Sequence, residues 1–114
     1  MSHERVLRTL LNLGLSHMDA EVYMHLAIKG PQKAEEIGDA LKLQEQLLNE
    51  SLENLKGKGI INPRLEESAV FSALPFDKAL ELLVKAHLKE AQAIEQERES
   101  ILSRWRAIVR ESTG

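Results

Sequence analysis

Residues 33–64 read KAEEIGDALKLQEQLLNESLENLKGKGIINPR, and the fold turns on them. Ala34, Ile37, Ala40 and Leu41 recur at helical spacing on one face of a short helix, Lys33 to Leu41, and Leu43 follows after a brief turn. Leu48, Leu52 and Leu55 then fall at i, i+4 and i+7, one buried line along a second helix from about Glu45 to Lys58. Gly59 stands where a left-handed residue is expected just past the helix end. Two short helices joined by a turn of three or four residues predict a helix-turn-helix. Beyond it, Ile60 to Arg64 and Ala69 to Ala73 read as short strands around the polar Leu65-Glu66-Glu67-Ser68, a β-hairpin wing. Proline has no N–H to give to a ladder, so Pro63 puts the first of these strands at a sheet edge or a bulge.

Upstream, Val6, Leu7, Leu10, Leu11 and Leu13 make Glu4 to Leu13 an amphipathic helix that Gly14 stops. Ser16 is suited to cap the next helix, with Asp19 three residues on in near capping-box spacing and Leu15 set to staple against Ala20. That second helix is expected from His17 to about Lys29, with Met18, Val22, Leu26 and Ala27 as its apolar stripe and Gly30-Pro31 as its end. After Leu74-Pro75 the pattern is helical to about Arg110. Some 35 residues at 1.5 Å each predict a rod of about 50 Å, too long for so small a globule to wrap. Leu80, Val84, His87, Ala91, Ile94, Arg98, Ile101, Trp105 and Ile108 follow spacings of four and three along it, framed by Lys, Glu, Gln and Arg. Alone, this helix would leave Ile94, Ile101, Trp105 and Ile108 in water, so the seam implies a partner, most simply a second copy. His87 and Arg98 either fix the register of the pair or extend their polar heads to its edge. The expected architecture is mainly α: a winged helix-turn-helix domain over residues 1–75 and a long coiled-coil dimerisation helix over residues 76–114.

Composition agrees with a small helical domain. The chain has 114 residues, 15 Lys plus Arg against 18 Asp plus Glu, and 43% hydrophobic residues. Only 4% are aromatic, so Leu, Ile, Val and Ala must fill the core. Without cysteine there is no disulfide framework, thiolate nucleophile or Cys-ligated zinc. Glu4 near the start and the lack of a following apolar run argue against an export signal. No stretch approaches the roughly 20 apolar residues of a membrane span, so a cytoplasmic protein without a membrane partner is expected. An enzyme is not expected either. His3, His17, His25 and His87 form no HExxH-like pair, and Gly57 and Gly59 lack the lysine and serine of a phosphate loop. No metal or cofactor is anticipated.

The stretch LNLGLSHMDAEVYMHLAIKGPQKAEEIGDALKLQEQLLNESLENLKGKGII resembles the N-terminal winged-helix domain of the TrmB family of transcriptional regulators, which is common in archaea. The marks are Leu-Gly-Leu-Ser followed by an acidic residue and Ala-Glu-Val-Tyr, then Lys-Gly-Pro, an Ala-x-x-Ile helix, and Leu-x-x-Leu-x-x-Lys-Gly-Ile. Leu-Pro-Phe-Asp-Lys-Ala-Leu is similar to the family's passage from wing to coiled-coil helix. The likeness covers roughly residues 5 to 100. It implies a homodimeric regulator of double-stranded DNA whose second motif helix enters the major groove. With an end at Gly114 the chain resembles the short members without the C-terminal effector domain, so the resemblance carries no sugar site onto it.

The residues themselves qualify that implication. With Leu48, Leu52 and Leu55 inward, the presumed reading helix presents Gln44, Glu45, Gln46, Leu47, Asn49, Glu50, Glu53 and Asn54. Gln and Asn suit adenine and Glu45 suits cytosine, while Leu47 suits either a thymine methyl or a protein contact. Yet three glutamates and no arginine would face a groove lined by phosphates. Over residues 31–75, Lys33, Lys42, Lys56, Lys58 and Arg64 stand against Glu35, Glu36, Asp39, Glu45, Glu50, Glu53, Glu66 and Glu67, five cations to eight anions. Phosphate neutralisation supplies much of DNA affinity, so weak binding with a shallow salt dependence is expected. Lys29, Lys33, Lys42, Lys56, Lys58 and Arg64 are the candidate phosphate contacts, with Arg5 and Arg8 in a supporting place. One alternative is a winged helix that serves as a protein-interaction module, its acidic face and long helix meeting another regulator or the transcription machinery; another is a fragment of a longer ligand-sensing protein.

Overall fold

In the computed structural model, which describes residues 2–64 and 70–113, the chain runs α1 (Ser2–Asn12), α2 (His17–Lys29), β1 (Gln32–Lys33), α3 (Ala34–Leu41), α4 (Glu45–Gly57), β2 (Ile61–Arg64), β3 (Val70–Ala73), α5 (Phe76–Gln96) and α6 (Arg98–Thr113). Residues Met1–Val84 form one compact unit and Lys85–Gly114 a second.

In the first unit α2 is the hub. The sequence pattern gives it a single stripe, but Ala20, Val22, Tyr23, Met24 and Leu26 are all buried, and Ala27 is exposed. Helix α2 touches α1, α3, α4 and β3, so it needs apolar residues on most sides rather than on one face. Its start follows the expected cap: the Asp19 N–H donates to Ser16 Oγ at 3.1 Å. Leu10 and Leu15 join it in the core, with Ile37 of α3, Leu48, Leu52 and Leu55 of α4, Ile60 and Ile61 at β2, and Ala79 and Leu83 of α5. Helix α5 thus begins inside the first unit.

The sheet has three antiparallel strands in the order β1-β3-β2, one more than the expected hairpin. The extra strand is the two-residue β1, which pairs Gln32 with Phe71 and Lys33 with Val70. Pro63 lies in β2, an edge strand, where a missing donor costs no ladder bond. The hairpin tip expected at Leu65 to Ser68, with Glu66 and Glu67, and the strand start at Ala69 lie outside the described residues. The Tyr23 hydroxyl donates to the Leu74 carbonyl at 2.7 Å, tying α2 to the chain leaving β3.

Two glycines have positional roles. Gly59 has φ +79°, and the bonds Ile60 N–H to Leu55 O and Gly59 N–H to Lys56 O close the end of α4 in the Schellman manner. At Gly38 a Cβ would sit 3.3 Å from Leu48 Cδ2, so the missing side chain lets α3 lie close against α4.

The second unit departs from expectation in its backbone. In place of one uninterrupted rod, Glu97 separates α5 from α6 as a turn residue. Its N–H is shared between Ala93 O and Ile94 O, both at 3.1 Å, a three-centre bond that tightens the turn locally. Ile101 N–H then returns to Glu97 O at 2.9 Å and the ladder resumes. Among the described residues, no helix is long and apolar enough to cross a membrane.

Candidate nucleic-acid interface

Helix α4 has two unlike sides. Leu48, Ser51, Leu52 and Leu55 are buried, while Gln44, Glu45, Gln46, Leu47, Asn49, Glu50, Glu53 and Asn54 are exposed. Leu47 is 41% exposed, so its side chain is available on an otherwise polar row. The turn Lys42-Leu43-Gln44 brings α4 off α3, with Leu43 N–H bonded to Gly38 O at 3.0 Å. Lys42 takes a left-handed conformation there, φ 56° and ψ 47°, the one non-glycine residue at positive φ among the described residues. The shallow cleft between the two helices is lined by Glu35, Asp39, Glu45 and Asn49 among others, so acid borders the motif on both helices. One of the α3 acids serves the backbone, because Glu36 Oε1 accepts the Lys33 N–H at 3.0 Å and satisfies a free donor at the helix start.

The candidate cations sit around this face and leave its middle to the acids. Lys42 precedes α4, and Lys56 and Lys58 lie at its other end; all three are outside the buried core. Lys33 and Arg64 both pair with Val70 of the central strand, so they occupy one rung of the sheet on either side of β3. Neighbouring strands are about 4.8 Å apart, which separates the two backbones by roughly 10 Å. The Arg64 side chain lies outside the described residues.

Sequence reasoning missed Ser51. Placed one residue before Leu52 on the inner face, it is 2% exposed, and its hydroxyl donates to Asp19 Oδ1 at 2.6 Å; Asp19 is 5% exposed. The reading of Asp19 as a near capping-box residue therefore covers only half of what it does, since its N–H uses the cap and its carboxylate reaches α4. The one signal in the sequence is a serine within a line of leucines. His25 Nε2 and Gln32 Oε1 make a further polar contact at 2.7 Å, between α2 and β1.

Of the expected seam, Leu80 is half-buried and Val84 exposed in the first unit. His87, Ala91, Ile94, Arg98, Ile101, Trp105 and Ile108 are exposed in the second, Trp105 at 59%. Arg98 Nη1 lies 3.5 Å from Glu95 Oε1, so its head is drawn along the helix surface. Leu88, Leu102 and Val109 are further exposed large apolar residues that the strict four-three spacing left out. Leu102 and Val109 each follow a seam residue directly, which widens the stripe beyond two positions per heptad. Among the described residues, no group of three or more His, Asp or Glu is placed to hold a metal ion.

Over residues 10–77 the chain matches the family model described as "Sugar-specific transcriptional regulator TrmB", which is more than half of its length. No curated protein sequence matches it. Among solved structures it is similar to the ST1889 protein from the thermoacidophilic archaeon Sulfolobus tokodaii, at 20% identity and TM-score 0.65, over 82% of this chain and 98% of that one. It is also similar to TrmBL2, an archaeal chromatin protein with a novel mode of DNA binding, at 18% identity and TM-score 0.71, over 100% of this chain and 46% of that one. The chain thus spans less than half the length of TrmBL2. A third likeness is to ZitR of Lactococcus lactis in complex with DNA, at 16% identity and TM-score 0.53, over 90% of this chain and 77% of that one. These likenesses are of fold: a winged helix-turn-helix with mostly helical flanks.

Proposed function

The chain belongs to the TrmB family of transcriptional regulators, and from that premise we propose that it acts as a homodimer that binds double-stranded DNA sequence-specifically through α4 and the wing. The carrying observation is the continuous exposed row from Gln44 to Asn54 on α4, backed by a buried face and flanked by lysines beyond both ends. A helix laid in the major groove has phosphates at its ends and base edges along its middle. Lys33, Lys56, Lys58 and Arg64 take the phosphate role. Gln44, Gln46, Asn49 and Asn54 offer paired amide donors and acceptors to adenine, Glu45 and Glu50 accept from the cytosine amino group, and Leu47 meets a thymine methyl. The carboxylates make nonspecific attraction weak, so discrimination rests on base edges more than on charge.

The second copy is called for by Leu80, Val84, His87, Ala91, Ile94, Arg98, Ile101, Trp105 and Ile108, whose exposed apolar members a like helix would cover. A twofold dimer reads a duplex with twofold sequence symmetry.

Selection of bound duplexes from genomic fragments at low ionic strength tests the reading, followed by Lys33→Glu and Lys56→Glu. Each variant should weaken binding to all duplexes alike and lower the slope of log affinity against log salt by about 1. Unchanged binding by both would refute this face. The exposed Leu47 among Glu45, Glu50 and Glu53 favours the second reading, a surface for a protein partner such as another regulator or the transcription machinery. Its sign is an absence of association with any duplex at low salt.

A further inference from the structure

We propose that the buried hydrogen bond from Ser51 to Asp19 sets the rotation of α4 about its own axis and so decides which outer side chains reach base edges. The inference rests on the reading of α4 as the groove-binding helix.

Besides the Tyr23 phenol, which donates to Leu74 O, the buried polar side chains among the described residues are Asp19 and Ser51, and they are bonded to each other. Everything around them on the inner side of α4 is Leu: Leu48, Leu52 and Leu55. Contacts of that kind are non-directional, so interdigitated leucines resist a large roll of the helix but discriminate between small rotations less sharply than a hydrogen bond does. A hydrogen bond is directional, and a buried donor or acceptor left without its partner is penalised, so the Ser51–Asp19 pair permits one azimuth. The acceptor is itself fixed. Asp19 sits in the first turn of α2, where its N–H is held by the Ser16 hydroxyl, and α2 is packed on several sides by the core. Gly38 admits Leu48 close to α3 and limits the distance between α3 and α4, but that apolar contact does not choose an angle.

Serine is not at this position for helix formation or for packing. It is a poorer helix former than Ala or Leu, and a buried hydroxyl only recovers what its desolvation costs. A lone polar contact in an apolar interface is the known means of choosing one register among near-equals. The lever is long enough to matter: with side chains reaching about 5–6 Å from the axis, a 20° roll of α4 moves their tips by roughly 2 Å. That displacement breaks a bidentate contact to a base while leaving lysine contacts to phosphate nearly intact. Ser51 and Asp19 are therefore positioning residues for Gln46, Asn49 and Glu50.

The test uses the full chain, a duplex that the wild type selects from a random pool, and a scrambled duplex of the same composition, well below the melting midpoint of every variant. Ser51→Ala should lower the ratio of selected to scrambled affinity on the order of tenfold, about the worth of one lost bidentate base contact. Binding to the scrambled duplex and its salt slope should stay as they are. Asp19→Asn, which keeps an acceptor oxygen, should hold the ratio within about twofold of the wild type. If Ser51→Ala does not fold, Ser51→Cys retains the shape with a much weaker donor and takes its place in the same comparison. A ratio unchanged in the Ala or Cys variant, or a proportional loss on both duplexes, overturns the inference and leaves the DNA-reading role standing. A wild type with no preference for any duplex removes that role, and this inference with it.

Discussion

Leu10, Leu26, Ile37, Leu55, Ile60 and Ile61 are wholly removed from water in the unit Met1–Val84, whereas Leu88, Ile94, Ile101, Leu102, Trp105 and Ile108 are all exposed in Lys85–Gly114. Both sets come mainly from amphipathic helices with similar periodicity. The difference is in what is covered: other elements of the same chain bury the inner face of α4, whereas the large apolar side chains of α6 are exposed. Periodicity reports that a helix has a face to cover and does not say what covers it.

Like substitutions in the two units should therefore act on different equilibria. Leu55→Ala removes a side chain that is 0% exposed, and should cost about 2–5 kcal/mol of folding stability at any protein concentration. Trp105→Ala should leave the intrinsic melting of the first unit unchanged and weaken self-association, on the order of 30-fold for an anchor worth about 2 kcal/mol. Sedimentation over a dilution series with parallel thermal melts separates the two. The contrast fails if Trp105→Ala lowers the melting midpoint equally at all concentrations without altering association.

Most of the fold is legible in the sequence because its signals are local. Gly14, Gly30-Pro31 and Gly59 mark helix ends, Ser16 marks a start, and leucine spacing sets the inner face of α4. Pro63 announces an edge strand, and β2 is one. What escapes depends on contacts distant in sequence. The short β1 exists because β3 is there to pair with it, and two residues carry no periodicity of their own. The Ser51–Asp19 bond spans 32 positions. The break at Glu97 carries no proline or glycine to announce it. For the candidate site, the outer row of α4 follows from its inner row by geometry, and the placement of Lys33 and Arg64 on one rung needs the sheet register.

A smaller effect probes a polar contact confined to the first unit. Burial first, and the charge of Asp77 second, push the Tyr23 phenol from 10.0 up to about 12. The folded chain holds this proton more tightly than the unfolded one, so the contribution of Tyr23 is complete below pH 10 and is lost as pH rises toward 12. Tyr23→Phe forfeits the bond to Leu74 O, a loss of about 1 kcal/mol below about pH 10. The gap between wild type and variant in denaturant unfolding should narrow between pH 10 and 12. A gap that widens with alkalinity would contradict a phenol that acts as a donor.

The smallest expected change lies in the turn that launches α4. Lys42 holds φ 56° and ψ 47°, a conformation that costs an L-residue with a Cβ about 1–2 kcal/mol. Glycine adopts it freely but gives the unfolded chain more freedom, which offsets about 0.5–1 kcal/mol. Lys42→Gly should therefore raise stability by roughly 0.5 kcal/mol, seen as a higher denaturant midpoint at unchanged slope. Self-association should not move, because Lys42 is not among the residues of the proposed seam, Leu80 to Ile108. Lys42→Asn, which tolerates the left-handed region without glycine's entropy, checks the origin of the gain. If both variants were less stable than the wild type, the aliphatic stem of Lys42 would outweigh the backbone strain, and the turn would owe its shape to packing.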